Sequence, residues 1–273
     1  MQLIDIGANL THESFADDLM SVLQRAHSAG VVQQVVTGTS VVSSAAAIAL
    51  HAAHQSLLFA TVGIHPHHAT DLDATALQQL TGLASQPGVV AIGECGLDYF
   101  RNLSPREAQI GAFHAQLELA ERLQLPVFLH QRDAHADFMA VLKEHIGGLK
   151  AAVAHCFTGQ SNELDDYLAL GLSIGITGWI CDERRGEHLK SLVRQIPAER
   201  LMIETDSPYL LPRSLRPKPE GRRNEPAYLI EVARVVAHAR GVSLQQLAAS
   251  STAAASGFFA LPAAPHDAHA LLA

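Results

Sequence analysis

Cysteine is scarce: the chain has three, Cys95, Cys156 and Cys181, with no CxxC spacing among them. A disulfide scaffold and a cysteine-rich zinc module are both excluded, because neither has the residues to form. An odd count fits reducing conditions, so the expected setting is cytoplasmic. Long apolar runs are missing as well. Ala45 to Leu50 is short and bounded by Ser44 and His51, well below the roughly 20 residues of a membrane helix, so no membrane partner is expected. The opening MQLIDIGANL places Asp5 inside its first apolar run and lacks the basic start and cleavage site of a secretory signal.

Excess positive charge is a third absence. Lys and Arg number 19 against 27 Asp and Glu, a net charge of -8, which excludes a polyanion binder working through its whole surface. Contact with phosphates must come from a local patch. The first apolar run is not followed by GxGxxG, so a dinucleotide fold has no signature here. No heptad pattern or exposed apolar stripe calls for an obligate protein partner, and a monomer is expected.

What remains is an ordinary globular composition, 48% hydrophobic and 17% charged over 273 residues, at a length close to the roughly 250 residues of one α/β barrel. Strand-like runs fall near residues 2–6, 32–37, 57–62, 89–93, 126–130, 151–155, 172–176 and 201–205. Between them lie helically spaced apolar residues, such as Phe15, Leu19, Val22, Leu23 and Ala26, or Phe113, Leu117, Ala120 and Leu123. Eight strand–helix units predict an α/β fold with the parallel sheet closed as a (β/α)8 TIM barrel; an open doubly wound sheet is the rival. One domain is expected over residues 1–262, ending in a helix capped by Ser251 or Thr252, with 263–273 a flexible tail. The Pro- and Arg-rich stretch from Pro208 to Pro226 reads as a long loop after the eighth strand.

Several apolar runs stop abruptly on a residue able to bind a metal ion. VVAIGE ends at Glu94, PVFLH at His130, AAVAH at His155 and LMIETD at Asp206; VGIH ends at His65. A carboxylate or imidazole at the end of a buried run costs desolvation unless it has a partner. At the carboxyl ends of barrel strands these side chains converge on one mouth, and a divalent cation would satisfy them together. The mixed nitrogen and oxygen set suits a catalytic ion with positions left for water. Singly, each has a plainer reading as a helix cap or hydrogen-bonded core residue; for Asp206 that is the cap of an Asp-Ser-Pro turn. Cys95 and Cys156 follow two of these residues, and strand alternation points them away, to pack against helices.

Around that mouth, His65 and His67 flank a proline and are candidate substrate contacts. Arg132 offers a planar fork for phosphate, or else an ion pair with Asp133. Arg213, Arg216, Lys218, Arg222 and Arg223 oppose one acidic residue, Glu220, and supply a local positive rim if their loop borders the mouth. Tyr99, Phe100, Trp179 and Tyr209 are candidates to stack bases or simply to pack.

The motifs IDIGANL, GIHPHH, IGECGLD, FLHQRDA, AHCFTG, IETDSPYLLP and KPEGRRNEPAYL, in this order and spacing, resemble the TatD family of metal-dependent deoxyribonucleases over nearly the whole chain. The resemblance implies a TIM barrel of the metallo-dependent hydrolase type and phosphodiester hydrolysis, with a 3′ to 5′ exonuclease on single-stranded DNA or RNA, in DNA repair or turnover, as the expected activity. It implies Glu94, His130 and His155 as metal ligands, with Glu94 also catalytic, and Asp206 as a catalytic aspartate that also touches the metal. His65, His67, Arg132, Arg222 and Arg223 are the expected substrate contacts. Two imidazoles favour Zn2+ or Mn2+, whereas a phosphate substrate and the resemblance favour Mg2+. Many family members open with Asp-x-His-x-His, whereas this chain has Gly7 and Asn9 in the histidine positions after Asp5. One strong metal position is therefore expected and any second one weak. The alternatives are a barrel hydrolase of amide or ester bonds, and a non-catalytic nucleic-acid-binding protein with a degenerate metal site.

Overall fold

The apolar runs become eight parallel strands: β1 (Leu3–Ala8), β2 (Val31–Val36), β3 (Leu58–Val62), β4 (Val89–Asp98), β5 (Val127–Arg132), β6 (Ala152–Ala154), β7 (Ser173–Ile176) and β8 (Leu201–Ile203). Each pairs with the next in chain order. A computed structural model describes residues 1–264 of the chain; from residue 265 onward, the expected tail lies outside the described residues. The seam between β8 and β1 is made just past the last strand. Asp206 donates its backbone N–H to the Gly7 carbonyl at 2.8 Å, and Asn9 donates to Ser207 at 2.8 Å. A nearly closed (β/α)8 barrel results.

Helices cover the outside: α1 (Leu19–Ser28), α2 (Val41–Ala53), α3 (Ala74–Ala84), α4 (Arg106–Leu123), α5 (His135–His145), α6 (Ser161–Ala169), α7 (Leu189–Leu192), α8 (Leu229–Arg240) and α9 (Leu244–Phe259). The largest apolar cluster lies between strands and helices, with Phe113, Leu117 and Phe138 fully buried in it. A second set fills the barrel itself: Ile4, Ile6, Val35, Phe59, Phe128, Val153 and Met202. Ala255 and Phe259 of α9 pack against that inner set, and Thr252 donates to the Gln2 carbonyl at 3.0 Å. Helix α9 thus covers the amino-terminal end of the barrel and leaves the opposite end for chemistry. Burying one phenyl ring such as that of Phe259 stabilises the fold by about 2 to 3 kcal/mol.

Two elements depart from the expected bounds. Helix α9 begins at Leu244, not near Ser251, because Ser243 caps it: its hydroxyl accepts the Gln246 N–H while the Gln246 side chain accepts the Ser243 N–H. Strand β4 runs through Glu94 to Asp98, and its ladder with β5 continues as Cys95↔Leu129, Gly96↔His130 and Asp98↔Arg132. Gly93 (φ +136) and Gly96 (φ +141) make this possible, since a Cβ at either would overlap a β5 carbonyl, that of Phe128 or of His130. A polar residue in this strand therefore does not mark its end.

Candidate metal centre and active site

Glu94 is the hub. Its Oε1 lies 2.8 Å from His155 Nε2, 2.9 Å from His130 Nδ1 and 3.3 Å from His65 Nε2. Only 5% of Glu94 is exposed. Glu94 and His130 stand within β4 and β5 and His65 and His155 follow β3 and β6, the convergence that parallel strands impose at a barrel mouth. By distance alone, donor atoms of His65, Glu94 and His130 all lie within 4.8 Å of one another.

Hydrogen bonding separates the three imidazoles. His130 presents Nε2 to Asp98 Oδ2 at 3.3 Å, and His155 presents Nδ1 to Glu204 Oε2 at 3.3 Å. Each ring thus lies between two carboxylates, Glu94 on one nitrogen and Asp98 or Glu204 on the other, so the outer nitrogen would keep its proton and its carboxylate partner if a cation took the inner one. The inner nitrogens, both under 3 Å from Glu94 Oε1, are the ones whose lone pairs a cation would take in place of a proton. His65 is polarised the other way: its Nδ1 accepts the His67 backbone N–H at 3.1 Å, so its Nε2 carries the proton and donates to Glu94. The donor set of Glu94, His130 and His155 thus fits a divalent metal, and His65 fits a proton donor beside it.

Electrostatics follow the same division. Burial alone would raise the Glu94 carboxyl, but the imidazoles of His155, His65 and His130 hold it well below the usual range. Burial opposes protonation of His155 and His130 too; Glu94 with Glu204 reverses this for His155, and Asp98 with Glu94 for His130, so both are raised. His65 is lowered to about 4, by burial first and the neighbouring His130 next. Asp98 is held well below the carboxylate range: burial is outweighed by hydrogen bonds from His130, His67 and the Arg101 N–H.

Asp206 follows β8 with φ +53, pinned by its backbone bond to Gly7. Its Oδ1 accepts a hydrogen bond from Asn9 Nδ2 at 2.9 Å. Burial, with Glu94 and Glu204 adding to it, raises the Asp206 carboxyl to about 7. It lines the same cavity as Glu94, His130 and His155, a space of about 650 Å³ that also takes in His65, His67, Arg101, Arg132 and Tyr209. Asp5, by contrast, is a clasp: its carboxylate accepts the Thr205 N–H at 2.9 Å and hydroxyl at 2.6 Å, tying β1 to the end of β8.

Some sequence-based expectations move. Arg132 has no ion pair with Asp133; its guanidinium lies 4.0 Å over the Phe100 ring and has no carboxylate partner among the described residues. Arg223 is committed elsewhere. It bridges Asp18 and Glu225, each at 2.8 Å, and donates to the Ser14 carbonyl. Arg213 is paired with Glu183 at 2.8 Å. Arg222 is exposed, and neither it nor Arg223 lines the cavity. The positive charge at the mouth comes from Arg101 and Arg132, after β4 and at the end of β5, because no cation of the 208–226 loop lines the cavity and Arg213 and Arg223 are paired with acids. His67 lines the cavity but points Nε2 at Asp98, 2.8 Å away. Cys95 is buried in the outer core as expected, whereas Cys156 lines the cavity, since β6 stops at Ala154 and alternation no longer applies.

Two functional carboxylates escaped sequence reasoning, Asp98 and Glu204. Asp98 had a signal: Glu94 and Asp98 are four residues apart in one strand and so share a face. Glu204 had a subtler one. Gly7 and Gly175 leave the space it fills, and its Oε1 accepts the Cys156 N–H at 2.5 Å.

A barrel whose mouth gathers two histidines, each backed by a carboxylate, around a third carboxylate defines a metal-dependent hydrolase. The chain belongs to the TatD related DNase family, whose model matches residues 4–260. It is 51% identical over 259 residues to the 3′-5′ ssDNA/RNA exonuclease TatD of Erwinia amylovora, covering 95% of this chain and all of that protein. The protein of the same name from Citrobacter rodentium is 50% identical, with 95% and 98% covered. Among solved structures, a TatD homolog from Escherichia coli superposes with a TM-score of 0.87 at 30% identity, covering 95% of this chain and 98% of that one. A TatD family hydrolase from Entamoeba histolytica gives 0.86 at 30%, with the same coverage. The protein is a hydrolytic nuclease; the readings as an amide or ester hydrolase and as a non-catalytic binder are left without support.

Proposed function

We propose that the protein is a 3′ to 5′ exonuclease of single-stranded DNA and RNA, dependent on Mg2+, with Mn2+ as the closest substitute. The observation that carries the metal site is the pair of contacts from Glu94 Oε1 to His130 Nδ1 and His155 Nε2. The strand preference and polarity are supported by the printed activity of relatives about half identical over their full length. A cytoplasmic monomer acting in DNA repair or turnover is the setting this reading implies.

Glu94, His130 and His155 would hold the ion. The chemistry it supplies when bound is Lewis-acid chemistry: neutralising charge on a phosphoryl oxygen and lowering the pKa of water. Asp206, steadied by Asn9, stands across the cavity as the acceptor of the proton lost from attacking water. His65 donates from Nε2 to Glu94 and orients that carboxylate, and it would reach the phosphate or the leaving oxygen by giving up that hydrogen bond. Arg132, without a carboxylate of its own, takes a phosphate oxygen pair.

The test is digestion of end-labelled single-stranded and duplex oligonucleotides by protein stripped with chelator and then restored with Mg2+ or Mn2+, beside Glu94→Ala and His130→Ala. Stepwise shortening from the 3′ end, lost on chelation and in both variants, is the expected pattern. Cleavage indifferent to chelation, or products released from the 5′ end, would overturn the proposal.

A further inference from the structure

Beside the main cavity lies a second one of about 360 Å³. The two share Gln131, Arg132, His155, Thr158 and Trp179 as walls. Arg132 and Trp179 therefore stand at the passage between them. The rings and cations here form a series: Phe100 with Arg132 at 4.0 Å, Arg132 with Trp179 at 5.7 Å, and Trp179 with Arg185 at 4.2 Å. Arg185 is anchored by Asp182 at 2.9 Å, but Arg132 has no such anchor. Phe100 is 56% exposed, a large ring left open to solvent at the edge of a charged pocket.

The charges inside the annex are mixed, with Arg132, Arg185 and His188 facing two acids. Glu163 and Asp133 line it, and Glu163 Oε2 already accepts the Gln160 N–H at 2.7 Å. A phosphate is favoured at the passage, on Arg132, since the charge of Arg185 is already taken by Asp182. A base is suited to the interior: it carries no charge, it has faces for Trp179, and its edge meets the polar groups of Thr158 and Gln160.

Resting on the exonuclease reading above, we infer that this annex receives the base of the nucleotide next to the one being removed, with the phosphate of that nucleotide on Arg132. A base enclosed between Trp179 and the β5 to β6 loops has no room for a Watson–Crick partner. The annex would thus select an unpaired strand at its second nucleotide, before any chemistry takes place.

Trp179 is the only tryptophan of the chain, so its emission reports the annex directly. Chelated full-length protein is titrated with a short single-stranded DNA, and with the same strand carrying an abasic site at the penultimate position. Quenching by the complete strand is expected, with quenching lost and Kd raised on the order of tenfold by the abasic site. Trp179→Leu, read by anisotropy of labelled DNA, should abolish the difference between the two strands, and Arg132→Lys should weaken both.

Equal quenching by both strands, or an abasic penalty unchanged in Trp179→Leu, overturns the annex. If Mg2+ restores 3′ cleavage while Trp179 never responds, the annex is wrong and the exonuclease reading stands. If Trp179 responds as expected but restored protein cuts no strand, the annex stands and the exonuclease reading falls. A protein that neither binds nor cuts sinks both.

Discussion

Gly7 and Glu204 occupy one place in the barrel: a Cβ on Gly7 would overlap Oε2 of Glu204 and come within 3.0 Å of the Phe128 ring. The first strand has only a hydrogen atom at this place, and a carboxylate that follows the eighth fills the space. That carboxylate faces His155 Nδ1 at 3.3 Å. Gly7 thus leaves room for the carboxylate that stands behind the His155 ring.

Glu204→Gln should therefore weaken metal binding roughly 10- to 100-fold, the usual cost of losing the group behind a metal-binding imidazole. Gly7→Ala should do the same by displacing the carboxylate, and should lower the melting temperature as well. Calorimetric titration with Mn2+ measures the first effect. An unchanged Kd in Glu204→Gln would show that His155 needs no carboxylate behind it.

Asp206→Asn keeps the shape and the hydrogen bond from Asn9 but removes the proton acceptor. The expected result is a fall in kcat of about 10²- to 10⁴-fold, with Mn2+ affinity reduced far less than in Glu94→Gln. If both variants lose the metal equally, Asp206 acts as a ligand and not as a base.

Arg223 and Arg132 should separate cleanly. Arg223→Ala breaks contacts to Asp18, Glu225 and the Ser14 carbonyl. It should cost about 1 kcal/mol of stability, as partly exposed pairs do, while leaving the salt dependence of DNA binding alone. Arg132→Ala should leave urea melts unchanged and flatten the slope of log Kd against log salt by about one phosphate contact. The reverse result would put the loop, not β5, on the nucleic acid.

The same network sets an acid limit. Arg223, against a smaller opposing effect of burial, and then Arg25 hold the Asp18 carboxyl at about 2, below its ordinary 3.8. Because the folded value is depressed, this stabilisation is complete above pH 3.8 and disappears as pH falls through about 2. Glu225 is lowered in the same direction, as its bonds to Arg25 and Arg223 outweigh burial. Urea midpoints followed from pH 5 downward should fall less steeply in Asp18→Asn than in the parent chain; parallel curves would remove Asp18 from the acid transition.

The fold was largely legible, because eight buried parallel strands must be apolar throughout and so announce themselves in the sequence. The mouth was legible for a related reason: Glu94, His130 and His155 interrupt those runs where a polar side chain is costly. Glu204 was hidden because the adjacent Asp206 offered a simpler stop to the same run. The pairing of Arg223 was hidden in part: Glu225 is two residues away, but Asp18 comes from the far end of the chain and leaves no local trace. Cys156 was misplaced by carrying strand alternation two residues past the end of β6 at Ala154.

Asp206 and Asn9 do more than face the cavity, for their backbone N–H groups also stitch the eighth strand to the first. Heat that loosens this seam must disarm the site in the same event. Amide exchange at Asn9 and Asp206 should then track loss of activity with temperature, and any variant that relaxes the mouth to admit bulkier strands will give up heat tolerance in proportion.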